Sequence, residues 1–332
     1  MSRLYRSLAA LACGLALIAP GAVGAQPHPL QKAVLMLNWY PYGEHAALYY
    51  GLDKGYFAKE GIDLTIQPGG GSNQTVQAVA QNQVTFGYAD TPALIKNVAA
   101  GAGVKSIGVM LQTTAAAVEF FTDKNIKTIA DLRGKTVAGS PGDAAYETLA
   151  AVLAANHIPD DAVQRVNVDP AGKLAAVISG RVDSLVGFFN DQAPTIEARS
   201  GKPVSVLRYA DSHVNFLGTG FVVNDATLKS DPALCRAFMR AVQHAYADAA
   251  KDRPGAIAAE EKLATKPPDH DVLTKQFDDT LTLLHTPATR GLPVGVNSAK
   301  DWQTTIEVLV KYLGLKNAAA PDAYWDGSIA RG

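Results

Sequence analysis

Two long extended stretches, near residues 112–120 and 215–223, bracket a self-contained run of alternating short strands and helices, and this arrangement limits the fold more than any other feature. Before the first stretch the apolar segments Val34–Leu37, Leu64–Ile66, Thr85–Ala89 and Val104–Leu111 read as strands. Helical segments separate them, from about His45 and from about Gln74 to Asn82, and Pro92 suits the first turn of a further helix that Asp90 or Thr91 can cap. Between the stretches the pattern restarts. Strands are expected at 136–138, 165–168, 184–188 and 204–207, with helices at 144–156, 172–179 and 194–200. From Asp231 onward the chain reads as mainly helical, ending near Trp325. The class is therefore α/β. One domain is discontinuous, over 30–115 and 216–332, and a second, 116–215, is inserted into it. Two parallel strands would join them as a hinge, with a ligand cleft between the lobes.

The ends and the charge narrow the class. Arg3 and Arg6, the apolar run Leu8–Ala19 and the small-residue site Val23-Gly24-Ala25 read as a secretory signal peptide, 1–25, cleaved after Ala25. Ala10-Leu11-Ala12-Cys13 lacks the large apolar residue that an acylated cysteine would need, so soluble export to a periplasm is expected. Cleavage leaves Cys235 alone, a small core residue with no disulfide partner. Lys and Arg number 30 against 31 Asp and Glu, without a basic stripe, which excludes nucleic acid as a partner.

Candidate binding residues cluster at strand ends, where open α/β sheets build their crevices. Trp39, Tyr40, Tyr42 and Glu44 lie on a Pro-containing loop just past the first strand, with His45 following. Three rings on one loop argue for stacking on a flat ligand rather than packing. Tyr88 and Asp90 end another strand of the same domain. In the inserted domain Gly139-Ser140-Pro141-Gly142-Asp143 opens a helix, so Ser140, Pro141 and Gly142 are expected contacts, with Asp143 as the helix cap. Phe188, Asn190 and Asp191 end a strand that should face the cleft from the other side, and Glu119 should line its floor. No second histidine stands at metal-ligand spacing with His45, so no metal is expected. Rings with carboxylates suit a planar, amino-bearing or cationic solute, whereas a sulfonate or nitrate would be repelled.

The chain resembles the solute-binding proteins of ABC importers, in the branch that includes thiamine-pyrimidine-precursor, sulfonate and nitrate binders. The resemblance spans essentially the whole mature chain and rests on ordered landmarks: Asn38-Trp-x-Pro41, Lys54-Gly-Tyr-Phe-x-x-Glu-Gly-Ile-Asp-Leu64, Phe86-Gly-Tyr-Ala-Asp90, Ile129-x-Asp-Leu-Arg-Gly-Lys135 and Gly220-Phe-Val-Val-Asn224. It implies the type II periplasmic-binding-protein fold, no enzymatic activity and no cofactor. The implied partners are a small planar heterocycle, most plausibly a thiamine pyrimidine precursor, and an inner-membrane permease that a monomer serves. The alternatives it leaves open are an aliphatic sulfonate, an aromatic acid or riboflavin as ligand, and a sensory role. The same family includes fungal pyrimidine synthases with a catalytic His and a pyridoxal-phosphate Lys on the segment matching Phe86–Ala100. This chain has Ala89 and Ala93 at those places, and Asn215–Gly220 contains no cysteine where those enzymes carry an iron-binding run.

Overall fold

A computed structural model describes residues 29–331; the expected signal peptide and its cleavage site lie outside the described residues. The strands are β1 (Gln31–Met36), β2 (Ile62–Gln67), β3 (Phe86–Asp90), β4 (Val104–Val109), β5 (Ala116–Phe121), β6 (Thr136–Gly139), β7 (Gln164–Asn167), β8 (Ser184–Phe188), β9 (Val204–Arg208) and β10 (Thr219–Asn224). They form two five-stranded sheets, ordered β2-β1-β3-β10-β4 and β7-β6-β8-β5-β9. In the first, β1 runs parallel to β2 and β3, and β10 runs antiparallel between β3 and β4. The second repeats this plan, with β6 parallel to β7 and β8, and β5 antiparallel between β8 and β9. Each crossing therefore delivers one reversed strand into the interior of the sheet it enters, one place from an edge. Both reversed strands, Ala116–Phe121 and Thr219–Asn224, are buried along their whole length, as interior strands covered on both faces must be.

The crossings themselves run in opposite directions, not parallel as expected, because one leaves the first lobe and the other returns to it. Gly218 N–H donates to the Leu111 carbonyl at 2.8 Å, and Thr114 N–H donates to Asn215 Oδ1 at 3.3 Å. A further connection joins the lobes. Helix Ala299–Leu313 buries Trp302, Ile306 and Leu309 in the first-lobe core and rests Val308, Tyr312 and Leu313 against the second.

Each lobe has its own core. In the first, Phe238 on the long helix Pro232–Ala249 stacks on Phe86 of β3, ring centres 4.0 Å apart, and Cys235 is buried on the same helix. In the second, Val118, Phe120, Leu149 and Val186 centre the packing. The loop Pro68–Ser72 after β2 is held close under the end of β1: a Cβ on Gly69 would stand 1.9 Å from the Leu37 carbonyl oxygen. Backbone cannot give way there. Gly69→Ala is expected to lower stability by about 1–3 kcal/mol, seen as a reduced urea midpoint with unchanged m. An unaltered midpoint would contradict this packing.

Candidate functional site

The site grows from the end of β1. Beyond Met36, Leu37 N–H donates to Gln67 O at 2.9 Å and Thr75 Oγ1 donates to Leu37 O at 2.8 Å, so the loop carrying Trp39, Tyr40 and Tyr42 leaves the sheet in a fixed direction. His45 closes the loop. Its Nδ1 accepts from Tyr42 N–H at 3.3 Å, so Nε2 carries the proton and donates to Asn38 Oδ1 at 2.9 Å. Burial pushes its pKa down to about 3, which keeps the ring neutral. With both nitrogens bound by protein, His45 is a clasp for the aromatic loop.

Tyr42, fully buried, donates its hydroxyl to Glu44 Oε2 at 2.5 Å. The same carboxylate oxygen accepts from Asn190 Nδ2 of the other lobe at 3.0 Å, and Asn190 also donates to Thr280 Oγ1 at 2.9 Å. Beside this contact Tyr40 donates to both oxygens of Asp191, at 3.2 and 3.0 Å. Gln276 Nε2 reaches Asp191 O at 3.0 Å and Thr195 Oγ1 at 3.2 Å, while its Oε1 accepts from Gly43 N–H. Gln192 caps the other oxygen of Asp191. A separate set of interlobe contacts lies on helix Ala144–Ala155, where Glu147 accepts from Asn73 at 2.9 Å and from Lys96 at 3.0 Å. These contacts are polar, whereas helix Ala299–Leu313 joins the lobes through apolar side chains.

Between them lies a cavity of about 30 Å³, lined by Asn38, Trp39, Tyr42, Ser72, Asp143, Phe188, Asp191 and Gln192 among others. That holds about one or two waters. Small-molecule pockets are usually far larger, so a ring enters only when the lobes part or the lining side chains swing aside.

The electrostatics are lopsided. Glu44, Asp90, Glu119 and Asp191 are all buried, and burial pushes each carboxyl above its ordinary range, Asp191 to about 7. Several of their atoms have no hydrogen-bond partner: Glu44 Oε1, both oxygens of Asp90 and both of Glu119, together with Tyr88 Oη, Trp39 Nε1 and Ser140 Oγ. Buried polar atoms are nearly always paired. Of the residues carrying unpaired atoms, Trp39 lines the cavity, and Glu44 is joined to the lining Tyr42 by a hydrogen bond.

The expected residues fall into distinct places. Trp39, Tyr42, Phe188 and Asp191 line the cavity, and Tyr40, Glu44 and Asn190 form its interlobe contacts. Ser140 is buried with a free hydroxyl. Asp90 donates its backbone N–H to Oγ of Ser72, a cavity-lining residue, at 3.0 Å. Tyr88 sits deeper, against the rings of His45 and Phe221. Glu119 stands on the first crossing, mid-strand in β5, with its side chain near Gly187 and Gln192. Pro141 is exposed and lines nothing, and Gly142 is half-buried at φ +85, since the turn that starts the helix carries both outward. Asp143 caps that helix, accepting from Ala145 N–H at 3.0 Å.

Several lining residues were not anticipated. Ser72 follows the Gly-rich turn after β2, a strand-end position like the others. Lys173, which contacts the lining residues Asp143 and Trp39 without lining the cavity itself, is the important omission. It is buried to 1% exposure, pairs with Asp143 Oδ2 at 2.5 Å, and holds its ammonium 5.5 Å above the Trp39 ring. Its place in the first turn of helix Pro170–Ile178, after β7, was the available signal. Among the described residues no cluster of His, Cys, Asp and Glu could hold a metal ion, and no helix is long and apolar enough to cross a membrane.

A family model described as "NMT1/THI5 like" matches residues 43–256. The formylaminopyrimidine-binding protein of Halalkalibacterium halodurans is 27% identical over 220 residues, 65% of this chain and 66% of that protein. Riboflavin-binding protein RibY of Chloroflexus aurantiacus is 29% identical over 236 residues, 68% of this chain and 64% of its own. A 4-amino-5-hydroxymethyl-2-methylpyrimidine phosphate synthase of Aspergillus parasiticus is 27% identical over 253 residues, 71% of each chain. The chain therefore spans about two thirds of the length of the first of these relatives. Among solved structures, the periplasmic aliphatic sulphonate binding protein SsuA from Escherichia coli superposes with a TM-score of 0.71 at 17% identity, over 90% of this chain and 92% of that one. The fold is the two-lobed periplasmic-binding-protein fold.

Proposed function

The chain belongs to the NMT1/THI5-like family, and from that premise we propose that it is the solute-binding component of an ABC import system. In this reading it is an exported monomer that captures a small planar amino-bearing heterocycle, a thiamine pyrimidine precursor, and delivers it to an inner-membrane permease. The lobes are 30–115 with 216–332, and 116–215, closing on the ligand. One observation supports this best: Trp39 and Tyr42 line the cavity, and Tyr42 donates to Glu44, a buried carboxyl whose Oε1 has no hydrogen-bond partner. An exocyclic amine donates to such oxygens while its ring stacks on the indole. Binding then stabilises the closed arrangement by its differential affinity for it, and no covalent step is needed. The synthases of the family supply a competing reading, which Ala89 and Ala93 oppose, because neither methyl side chain can carry a cofactor or a proton.

Lys173 supports a second binding reading, since an ammonium inside the cleft suits an anionic or acceptor-rich ligand such as riboflavin, an aromatic acid or a sulfonate. Thermal-shift measurements decide between them. Aminopyrimidines are expected to raise the melting temperature by several degrees at saturating concentration. Shifts confined to sulfonates, aromatic acids or riboflavin would establish the second reading, and turnover with pyridoxal phosphate and iron would establish the enzyme.

A further inference from the structure

We propose that Lys173 is the specificity-determining residue of the cleft, an internal cation that occupies the ligand's place and must be displaced by an amine-bearing ring. The inference rests on the binding function proposed above and concerns how that same site selects its ligand.

Lysine is among the residues least often fully buried, and it is buried only where charge is provided for it. Here the provision comes from three elements. Asp143, the cap of helix Ala144–Ala155, makes the ion pair. Asp191, just past β8, and Glu119, on β5, both lie near enough for the ammonium to favour their ionised forms. From the first lobe Trp39 faces it, with Nζ 5.5 Å from the ring centre. A cation over an indole is held by the ring's negative face, most strongly where water is excluded.

Those are the interactions an amino heterocycle would make. The face of Trp39 cannot carry both a stacked ring and the lysine ammonium. Asp143 and Trp39, the two groups that hold Lys173, both line the cavity, so a ring stacked on the same face of Trp39 competes with Lys173 for them. A ring bearing an amine restores donors to the carboxylates that Lys173 releases. The same ring without an amine displaces the cation and leaves buried charge uncompensated, which is a strong penalty. Lys173 therefore sets a threshold that only donor-bearing ligands pass, a repulsive element alongside the attractive ones.

Calorimetric titration of the mature protein with 4-aminopyrimidine and with unsubstituted pyrimidine tests this. In Lys173→Met the amine-bearing ring is expected to bind about tenfold tighter than in wild type, because its internal competitor is gone. Unsubstituted pyrimidine should gain as much or more, shrinking the discrimination between the two. Weaker binding of 4-aminopyrimidine would overturn the proposal and make Lys173 a direct ligand donor. A second measurement needs no ligand and stands if neither pyrimidine binds wild type, an outcome that would sink the proposed function alone. Urea unfolding of wild type and Lys173→Met at pH 5 and pH 8 should show a larger loss at pH 8, where Asp191 is ionised and needs its counter-ion. Equal losses would overturn the counter-ion role. If Lys173→Met does not fold, Lys173→Met with Asp143→Asn removes the pair together, and the same two comparisons apply.

Discussion

Trp39→Ala is expected to weaken binding of an aminopyrimidine by about a hundredfold or more, equivalent to roughly 3 kcal/mol. Two contributions add. Stacking is worth about 0.5–1.5 kcal/mol beyond burial, and the apolar area that the indole shields from water adds a similar or larger amount. The ring also steadies its surroundings, with Tyr40 tilted against it at 5.6 Å and Lys173 above it. Truncation would free both. Calorimetry gives the affinity, and the melting temperature without ligand separates lost contact from lost fold. Trp39→Phe should recover much of the affinity, since it keeps a ring to stack on. Unchanged affinity in Trp39→Ala would remove the aromatic wall from the binding account.

The second large effect is a pH dependence carried by Asp191. Burial raises its carboxyl from 3.8 to about 7; Glu44 and Asp143 add to the rise, while Tyr40's hydrogen bond and Lys173 oppose it. Below pH 3.8 both folded and unfolded chains hold this proton, so the group contributes nothing. Between 3.8 and 7 only the folded chain holds it, and stability falls as pH rises. Above 7 the full penalty is present, up to about 4 kcal/mol. His45 acts in the opposite sense. Its depressed pKa makes stability rise with pH between about 3 and 6.5, so the whole-protein profile mixes the two. Subtracting profiles isolates Asp191. The stability of Asp191→Asn relative to wild type is expected to climb from pH 4 to pH 7 and then level off, while His45 cancels. A flat difference would show that Asp191 is ionised throughout, held so by the Tyr40 hydroxyl and the Lys173 ammonium.

The fold was legible because each strand announces itself locally, by a short apolar run ended with a glycine, proline or capping residue. β8 falls at 184–188, where it was expected, and the reversed strands β5 and β10 coincide with the extended stretches that bracket the inserted series. Strand-end logic likewise located Trp39, Tyr42, Phe188 and Asp191. It could not locate Gln276 or Thr280, which sit mid-helix in the sequence's helical tail and reach Asp191 and Asn190 only through tertiary packing. Nor could it tell that His45 faces its own loop, because an imidazole's partners depend on backbone geometry that spacing does not encode. Pro141 failed for a related reason. A turn that presents one backbone face to the cleft turns its next side chain to water. The aromatic loop carries no Arg or Lys, yet the cleft receives a cation, since Lys173 arrives from the other lobe.

Helix Ala299–Leu313, resting on both lobes, changes what kind of motion the molecule can make. Two flexible crossings alone would let the lobes bend, twist and shear independently. A rigid rod packed along both removes the freedoms that would slide its apolar face off either surface, leaving rotation about an axis near the rod. With one rotation allowed, the Asn190–Glu44 and Glu147–Lys96 contacts cannot open in turn; they part together. Opening then becomes a single cooperative event, whose threshold is the sum of both contacts, and the ligand meets a cleft that is either shut or fully accessible.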